Sequence, residues 1–348
     1  MPKWNQADIA VADGLAGTVR AGEWWDHKLV PILTAFYATA LLLGAPVAAL
    51  WPHALALLVA MLAGAAFVSV LNDLADIDDD RAAGKPNRMA GRSRAFRAAA
   101  LALPVAVGLL FGFLWRDTPM LAGAYALAWL AFAAYSLPPL RLKVRGFAGL
   151  VADASGAHFF PTLVAILLAF RAAGAPPDPS WLAAGAAWAL GYGLRGILWH
   201  QLADRERDRR AGVPTFAERH PPIVAARVAA LGAFPLELAG LGALLWRLAE
   251  PLPLLLLALY LVMTLLRLRL WRMNAVVAAP APRGFILLHE YYDALLPIAV
   301  LAASALVHPI DFVVLAAHLL LFGRRPLEVA RTGLLLAAGV ARRVVQSR

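Results

Sequence analysis

The sequence predicts an all-α integral membrane protein whose helices form a bundle of nine transmembrane segments. Of the 348 residues, 61% are hydrophobic and 16% are charged, and the mean hydropathy is +0.68. Soluble domains carry more charge, about 25% of residues. The apolar residues also come in runs of about twenty, the length that a helix needs to cross ~30 Å of hydrocarbon. Basic residues are concentrated in alternate loops between these runs.

Each apolar run should be a helix, because lipid forces every backbone group to find its hydrogen-bond partner within its own segment. A further apolar stretch, 309–322, is short for a crossing. We therefore divide the chain into an N-terminal segment (1–27), a transmembrane domain (28–306) and an additional hydrophobic segment with a basic tail (307–348). The nine predicted spans lie at about 28–50, 53–74, 96–114, 119–136, 147–170, 181–203, 222–247, 251–271 and 285–306.

The distribution of basic residues orients the bundle. The loops after spans 2, 4, 6 and 8 are rich in Arg and Lys, whereas the opposite loops carry only Arg116, Arg171 and Arg247. The positive-inside rule therefore places the N-terminus and the basic loops in the cytoplasm. Topology accounts for the net charge of +10, so this charge does not indicate a nucleic-acid partner. The absence of cysteine excludes disulfides and thiolate chemistry.

The C-terminal tail allows two arrangements. Residues 324–348 contain six arginines and one acid, Glu328, which is typical of a cytoplasmic tail. In the favoured arrangement the stretch after span 9 bends back to the cytoplasmic side, with Pro309 at the break. In the alternative the tail stays outside, and residues 334–345 lie on the membrane surface as an amphipathic helix.

The first candidate site is an Asp-rich motif at the end of span 2. Asp73, Asp76 and Asp80 have the spacing i, i+3 and i+7, which on a helix places three carboxylates on one face with Asn72 at its edge. Asp78 points roughly the opposite way. Clustered carboxylates near lipid are costly unless a divalent cation binds them, and hard oxygen ligands suit Mg²⁺.

A second motif ends span 6, which closes on the same side of the membrane. Asp204 and Asp208 are four residues apart and share a helix face, which His200 and Gly212 extend. One such motif is typical of a solvated helix end. Two motifs at equivalent ends of two spans indicate a functional site.

A third segment, at the end of span 4, completes a family resemblance. Asn-Asp-x-x-Asp-x-x-x-Asp, Asp-x-x-x-Asp-x-x-x-Gly and the run from Tyr135-Ser136 to Lys143 together resemble the motifs of the UbiA superfamily of intramembrane prenyltransferases. The resemblance implies nine helices around a central cavity that opens laterally to lipid. It also implies two Mg²⁺ ions that bind the diphosphate of an isoprenoid, loss of that diphosphate, and alkylation of an aromatic or lipophilic acceptor by the allylic cation.

The resemblance assigns roles to individual residues. Catalysis is expected to need Asp73, Asp76, Asp204 and Asp208, and the same four residues with Asp80 are the expected metal ligands. Breaking the allylic C–O bond requires neutralisation of the leaving diphosphate, by Mg²⁺ and by fixed cations. The expected substrate-binding residues are Asn72, Lys85, Arg88, Tyr135, Arg141, Lys143, Arg195 and His200.

Several of these assignments leave alternatives open. Arg195 lies inside span 6 and needs an anion, which is either a substrate group or Asp153 of span 5. His200 is either a base for an acceptor hydroxyl or a partner of Asp204. The runs 289–293 and 23–28 open spans 9 and 1 near the expected mouth of the site, and both are candidates for shaping the acceptor pocket.

Three other functions use the same residues. The motifs could bind phosphoribosyl diphosphate and pass ribose phosphate to a polyprenyl phosphate, which would give Arg195 a phosphate to hold. A terpene cyclase would capture the allylic cation internally. A transporter is the alternative from another class, but it predicts acids at mid-span and broken helices at the midplane.

Overall fold

The computed structural model describes residues 15–82, 84 and 86–346, and this part of the chain is almost entirely helical. Two three-residue strands, β1 (Asn274–Val276) and β2 (Gly284–Ile286), pair in parallel. The helices are, in order, α1 (Leu15–Thr18), α2 (Ala21–Trp24), α3 (Val30–Leu42), α4 (Trp51–Ala75), α5 (Ile77–Ala82), α6 (Arg94–Leu114), α7 (Pro119–Ser136), α8 (Phe147–Ala154), α9 (Phe160–Ala172), α10 (Pro179–Ala211), α11 (Phe216–Arg219), α12 (Pro222–Val228), α13 (Phe234–Leu248), α14 (Pro251–Leu270), α15 (Leu296–Val307), α16 (Asp311–Phe322) and α17 (Arg324–Gln346).

Within the described residues, six helical segments are long and apolar enough to cross a membrane, and they coincide with predicted spans 2, 3, 4, 5, 7 and 8. Helices also occupy the positions of spans 1, 6 and 9, as α3, α10 and α15. The number of nine crossings stays a prediction. The six segments are Val47–Ala75, Arg94–Leu114, Pro119–Ser136, Phe147–Ala172, Pro222–Leu248 and Pro251–Leu270.

Two predicted boundaries are wrong, each for a local reason, and the second Asp motif is helical as its spacing predicts. Span 1 ends at Leu42 instead of residue 50, because Gly44 takes a left-handed conformation (φ 64°) and Val47–Leu50 form a 3-10 turn that leads into α4. Span 9 does not begin at residue 285, because Gly284–Ile286 are in strand β2. Helix α10 runs on to Ala211, so the whole second Asp motif is helical.

Four short π-helical stretches have a common cause in the sequence. They are Trp25–Leu29, Ser155–Phe159, Ala229–Ala233 and Tyr291–Leu295, and each is followed by a helix with proline in its first turn. A proline lacks the N–H that would bond to the carbonyl four residues earlier, and its ring crowds that carbonyl, so the preceding turn widens. Pro31 thus releases the carbonyl of His27, which accepts a hydrogen bond from Tyr192 Oη at 3.0 Å.

After α15 the chain turns back along the bundle. Asp311, at the start of α16, accepts hydrogen bonds from the backbone N–H groups of Val47 and Ala48, beyond the far end of α3. At the other end of α16 the Phe322 ring packs on Trp25, just before α3. Helix α16 therefore runs back along α3, and α17 follows it as an amphipathic helix with Val329 and Leu336 buried. The membrane side of the tail stays a prediction.

Candidate active site

The two Asp motifs meet in one cavity of about 690 Å³, which we call the polar cavity. The first motif contributes from the end of α4 and from α5, and the second contributes from the last turns of α10. Eight of the predicted site residues line it: Asn72, Asp76, Asp80, Tyr135, Lys143, His200, Asp204 and Asp208. Asp79, Ile197, Gln201, Ala211, Val213 and Thr215 complete the lining.

The prediction of one continuous helical face through the first motif is wrong. Helix α4 ends at Ala75, and Asp76 leaves helical geometry (φ −109°, ψ 9°) before α5 begins. Asp79 also faces the cavity, together with Asp76 and Asp80. The side chain of Asp78 does point away, being 92% exposed and paired with Arg81. Sequence reasoning did not single out Asp79, although it lies three residues after Asp76 and would be its neighbour on a helix surface.

Asn87 holds the broken motif together. Its Nδ2 donates to the carbonyl of Asp73 at 2.7 Å and to Oδ2 of Asp80 at 2.8 Å, so one amide joins the two sides of the break. Its Oδ1 accepts from the backbone N–H groups of Met89 and Ala90. This residue was also missed, although an asparagine in a turn close after an acidic motif is a recognisable capping signal.

Basic side chains contact the carboxylates of both motifs. Lys143 Nζ bonds to Asp76 Oδ1, and Arg141 Nη2 bridges Asp76 and Asp79. Beneath them, Asp73 is 5% exposed, with Arg20 Nη1 at 3.6 Å from Oδ1 and Arg88 Nη1 at 4.0 Å from Oδ2. The cations predicted for a diphosphate therefore lie beside the acids predicted for metal.

Lys143 reaches this position through a tight contact between its turn and α8. It lies in a 3-10 turn, Leu142–Val144, and is buried. An added Cβ at Gly149 of α8 would lie 2.5 Å from the Leu142 carbonyl oxygen and 3.2 Å from the Lys143 Cα. Only glycine allows α8 to approach the turn this closely.

In the second motif, α10 ends in a left-handed glycine, Gly212 (φ 65°). The chain then turns back, and Thr215 Oγ1 donates to Asp208 at 3.2 Å. Gln201 Oε1 accepts from the backbone N–H of Ala217 at 3.2 Å. Arg207 pairs with Asp204 on the same helix. The returning loop thus supports both Gln201 and Asp208 from behind.

Arg195 lies elsewhere. Its guanidinium makes two hydrogen bonds of 2.6 Å to the carboxylate of Glu237 in α13, and both side chains are fully buried. Its remaining contact is with the carbonyl of Val277 at 3.1 Å. The alternative pairing with Asp153 is therefore wrong, and Arg195 is not among the residues that line the polar cavity. Sequence spacing placed Arg195 on α10 but could not show that α13 supplies its anion. Lys85 lies outside the described residues.

The donor set of the polar cavity fits Mg²⁺. It offers carboxylate oxygens from Asp76, Asp79, Asp80, Asp204 and Asp208 and no sulfur. Such hard ligands match Mg²⁺, which binds to one or two carboxylates and completes its octahedron with water and phosphate oxygens. Lys143 and Arg141 pair with some of these carboxylates, so not all of the carboxylates need to bind metal. An incoming diphosphate would compete with the carboxylates for these two cations.

A second, apolar cavity of about 630 Å³ lies beside the polar one. On α4, Ser69 lines the apolar cavity and Asn72, one turn later, lines the polar cavity. On α7, Phe132 and Tyr135 have the same relation. The walls come from α2, α3, α4, α7, α9 and the π-helical stretches before α3 and α9, and they include the side chains of Trp24, Lys28, Phe67, Tyr125, Trp129 and Phe132.

The two runs that were candidates for an acceptor pocket meet each other in a separate polar cluster. His27 Nδ1 lies 2.5 Å from Asp293 Oδ2, and Arg325 Nη2 lies 2.7 Å from His27 Nε2. Because arginine only donates, Nε2 is the acceptor, and Nδ1 carries the proton that it donates to Asp293. His289 joins them, with ligand atoms of the three residues within 4.8 Å of one another. The hydrogen bonds of His27 are complete without an ion.

Comparisons with known proteins agree with this architecture. The model of the UbiA prenyltransferase family matches residues 30–289. The fold is similar to a solved structure described as a UbiA homolog from Archaeoglobus fulgidus bound to GPP and Mg²⁺, with a TM-score of 0.55 and 18% sequence identity over 86% of this chain and 98% of the other. No curated protein sequence matches the chain. Because the family model covers well over half of its length, this multi-pass membrane protein belongs to the UbiA prenyltransferase family.

Proposed function

We propose that the protein is a Mg²⁺-dependent intramembrane prenyltransferase that transfers the prenyl group of a prenyl diphosphate to an aromatic or lipophilic acceptor. The observation that carries this proposal is that an apolar cavity lies directly beside the acid-lined cavity. A prenyl diphosphate has a highly charged head and an apolar tail, and the acid-lined and apolar cavities meet within one helical turn on both α4 and α7.

The residues of the polar cavity would hold the head group. Asp76, Asp80, Asp204 and Asp208 are the proposed metal ligands that face the cavity, with Asp73 beneath them. When bound, Mg²⁺ would neutralise the leaving diphosphate as a Lewis acid. Lys143 and Arg141 would exchange part of their contact with Asp76 and Asp79 for the phosphate oxygens as negative charge develops there.

The reaction breaks the bond between C1 and oxygen, and its electron pair leaves with the diphosphate. The acceptor then bonds to C1 and loses one proton. His200, whose imidazole lines the polar cavity, would accept this proton. Apolar walls below the head group exclude water, which would otherwise capture the cation. We propose the cytoplasmic end of the bundle for this site, since basic loops surround it.

Phosphoribosyl transfer was favoured by a phosphate-binding role for Arg195, and the contacts of Arg195 do not support that role. That reaction would have given the buried Arg195 a phosphate to bind, but its charge is already paired with the carboxylate of Glu237, and it also donates to the carbonyl of Val277.

The test is release of pyrophosphate from the purified full-length chain. We expect release from a prenyl diphosphate in the presence of Mg²⁺ and membrane lipid extract, none with EDTA, and a product that mass spectrometry identifies as an acceptor carrying the prenyl group. Release without any prenylated product, accompanied by a cyclic hydrocarbon, would replace this proposal with a terpene cyclase.

A further inference from the structure

The apolar cavity has a closed floor, which limits the length of what it can hold. Its deepest lining residue on α4 is Ala60, and its deepest on α7 is Tyr125. One turn further from the polar cavity, Leu57 on α4 and Leu121 on α7 are fully buried. Behind Tyr125, the ring of Trp115 packs edge-on at 5.0 Å. Close-packed side chains therefore end the cavity at this depth.

Helix geometry converts these positions into a depth. Ala60 precedes Asn72, at the polar cavity, by twelve residues, which at 1.5 Å per residue is about 18 Å. Tyr125 precedes Tyr135 by ten residues, or about 15 Å. An extended isoprene unit adds roughly 5 Å, given bonds of about 1.5 Å. The cavity therefore accommodates about three to four units between the head group and the floor.

We propose that this chain uses diphosphates of about three to four isoprene units, of farnesyl or geranylgeranyl size, and excludes long polyprenyl chains because Ala60 and Tyr125 close the cavity. This inference rests on the proposed function and adds its substrate class. It also assigns a role to Gly64, which lies on the wall between mouth and floor. An added Cβ at Gly64 would meet no atom within 4 Å, so a side chain there would project into open space.

Two substitutions at different depths in the apolar cavity test this limit on prenyl chain length. Gly64 lies eight residues, or about 12 Å, from Asn72. Gly64→Leu should therefore leave room for only about two units, and Ala60→Leu for about three. Gly123→Leu is the matched control, because Gly123 also meets no atom within 4 Å but is exposed on α7 and does not line the cavity.

The experiment measures binding of prenyl S-thiolodiphosphates, whose C1 does not ionise, to the purified full chain with Mg²⁺. For the unchanged protein we expect affinity to rise from geranyl to farnesyl and geranylgeranyl, and to fall by about tenfold or more for the nine-unit chain. Gly64→Leu should weaken farnesyl and geranylgeranyl binding about tenfold and preserve geranyl binding, whereas Ala60→Leu should weaken geranylgeranyl binding alone. Pyrophosphate binding with Mg²⁺ should be unchanged in both and verifies that the polar cavity is intact.

The outcomes separate the two proposals. If neither pyrophosphate nor any prenyl analogue binds with Mg²⁺, the proposed function itself fails. If the analogues bind but the nine-unit chain binds as tightly as geranylgeranyl, or if Gly64→Leu and Ala60→Leu behave like Gly123→Leu, only the length limit is overturned. Ala60→Leu supplies an independent measurement if Gly64→Leu does not fold.

Discussion

Asn87 Nδ2 lies 2.8 Å from Asp80 Oδ2 and 2.7 Å from the carbonyl of Asp73, on the other side of the helix break at Asp76. A single amide thus sets the relative position of two proposed metal-binding carboxylates. Groups that orient metal ligands commonly change metal affinity by 10–100-fold when they are removed.

We therefore expect Asn87→Ala to raise the Mg²⁺ concentration needed for half-maximal pyrophosphate release by about tenfold. The KM for the prenyl diphosphate, measured at high Mg²⁺, should change little. Asn274→Ala is the control, since Asn274 donates to a loop carbonyl far from the motifs in the chain. An unchanged Mg²⁺ titration for Asn87→Ala would show that Asp80 needs no such support.

Substitution of a carboxylate should reduce activity most when that carboxylate faces the polar cavity. Asp76→Asn and Asp204→Asn should lower kcat/KM by about a hundredfold or more, because each removes charge where the metal and the leaving group lie. Asp78→Asn should retain activity, since Asp78 is 92% exposed and paired with Arg81. Asp79→Asn should lie between these, because Asp79 holds Arg141. An inactive Asp78→Asn enzyme with an active Asp76→Asn enzyme would refute this division.

Lys143 should contribute charge to the reaction itself. It is buried against Asp76, so Lys143→Ala should raise the KM for the diphosphate, or lower kcat if its contact forms mainly in the transition state. Arg81→Ala is the control, because that cation pairs only with exposed Asp78 among the ion pairs described. Steady-state kinetics that match the unchanged enzyme in both parameters would reduce Lys143 to a determinant of topology.

Asp178 should make stability depend on pH at the other end of α10. Its carboxylate accepts from the Ser180 hydroxyl, from the backbone N–H of Trp181 and from Arg247, and these bonds lower its pKa to about 2. A lowered pKa in the folded state means that the stabilisation is present above the unfolded pKa, near 4, and is lost as pH falls toward 2.

Accordingly, Asp178→Asn should melt at a lower temperature than the unchanged protein at pH 6, and this difference should shrink as the pH is lowered from about 4. Thermal unfolding in detergent between pH 3 and pH 7 measures it. A difference in Tm that does not vary with pH would mean that the charge of Asp178 contributes nothing.

The tail offers a test of membrane orientation. Helix α16 returns toward the start of α3, so the end of α17 should share the side of the N-terminal segment, and we expect that side to be cytoplasmic from the basic loops. A cysteine at exposed Ala341, in this cysteine-free chain, should resist an impermeant thiol reagent on intact cells and react after lysis. Labelling from outside would contradict this orientation.

Much of the fold could be predicted, because hydrophobic length is a direct requirement of the bilayer. The acids were proposed as site residues because charged residues at equivalent helix ends are rare without a function, whereas Tyr135 and Lys143 were proposed from the family resemblance, and these residues line the polar cavity with four of the acids. The π-helical stretches were readable in principle from Pro31, Pro161, Pro235 and Pro297 but were not predicted.

What escaped prediction depends on contacts between distant segments. The partner of Arg195 lies on a helix 42 residues away in the chain, and spacing along α10 carries no information about it. The break at Asp76 escaped because residues 73–80 have no proline or glycine, and it is stabilised by Asn87 from the next loop. Local propensity therefore indicated a continuous helix where tertiary hydrogen bonds decide otherwise.

The contacts of Asp26 and His27 with Arg324 and Arg325 have a consequence for biogenesis. These partners are 298 residues apart in the chain, and a ribosome adding about 5–20 residues per second needs roughly 15–60 s to bridge them. The first helix therefore enters the membrane with acidic and imidazole groups whose partners have not yet been synthesised. A nascent chain that stops before Arg324 would leave the buried carboxylate of Asp26 without the guanidinium that pairs with it, so this end of the bundle is completed only when the C-terminal helices have been made.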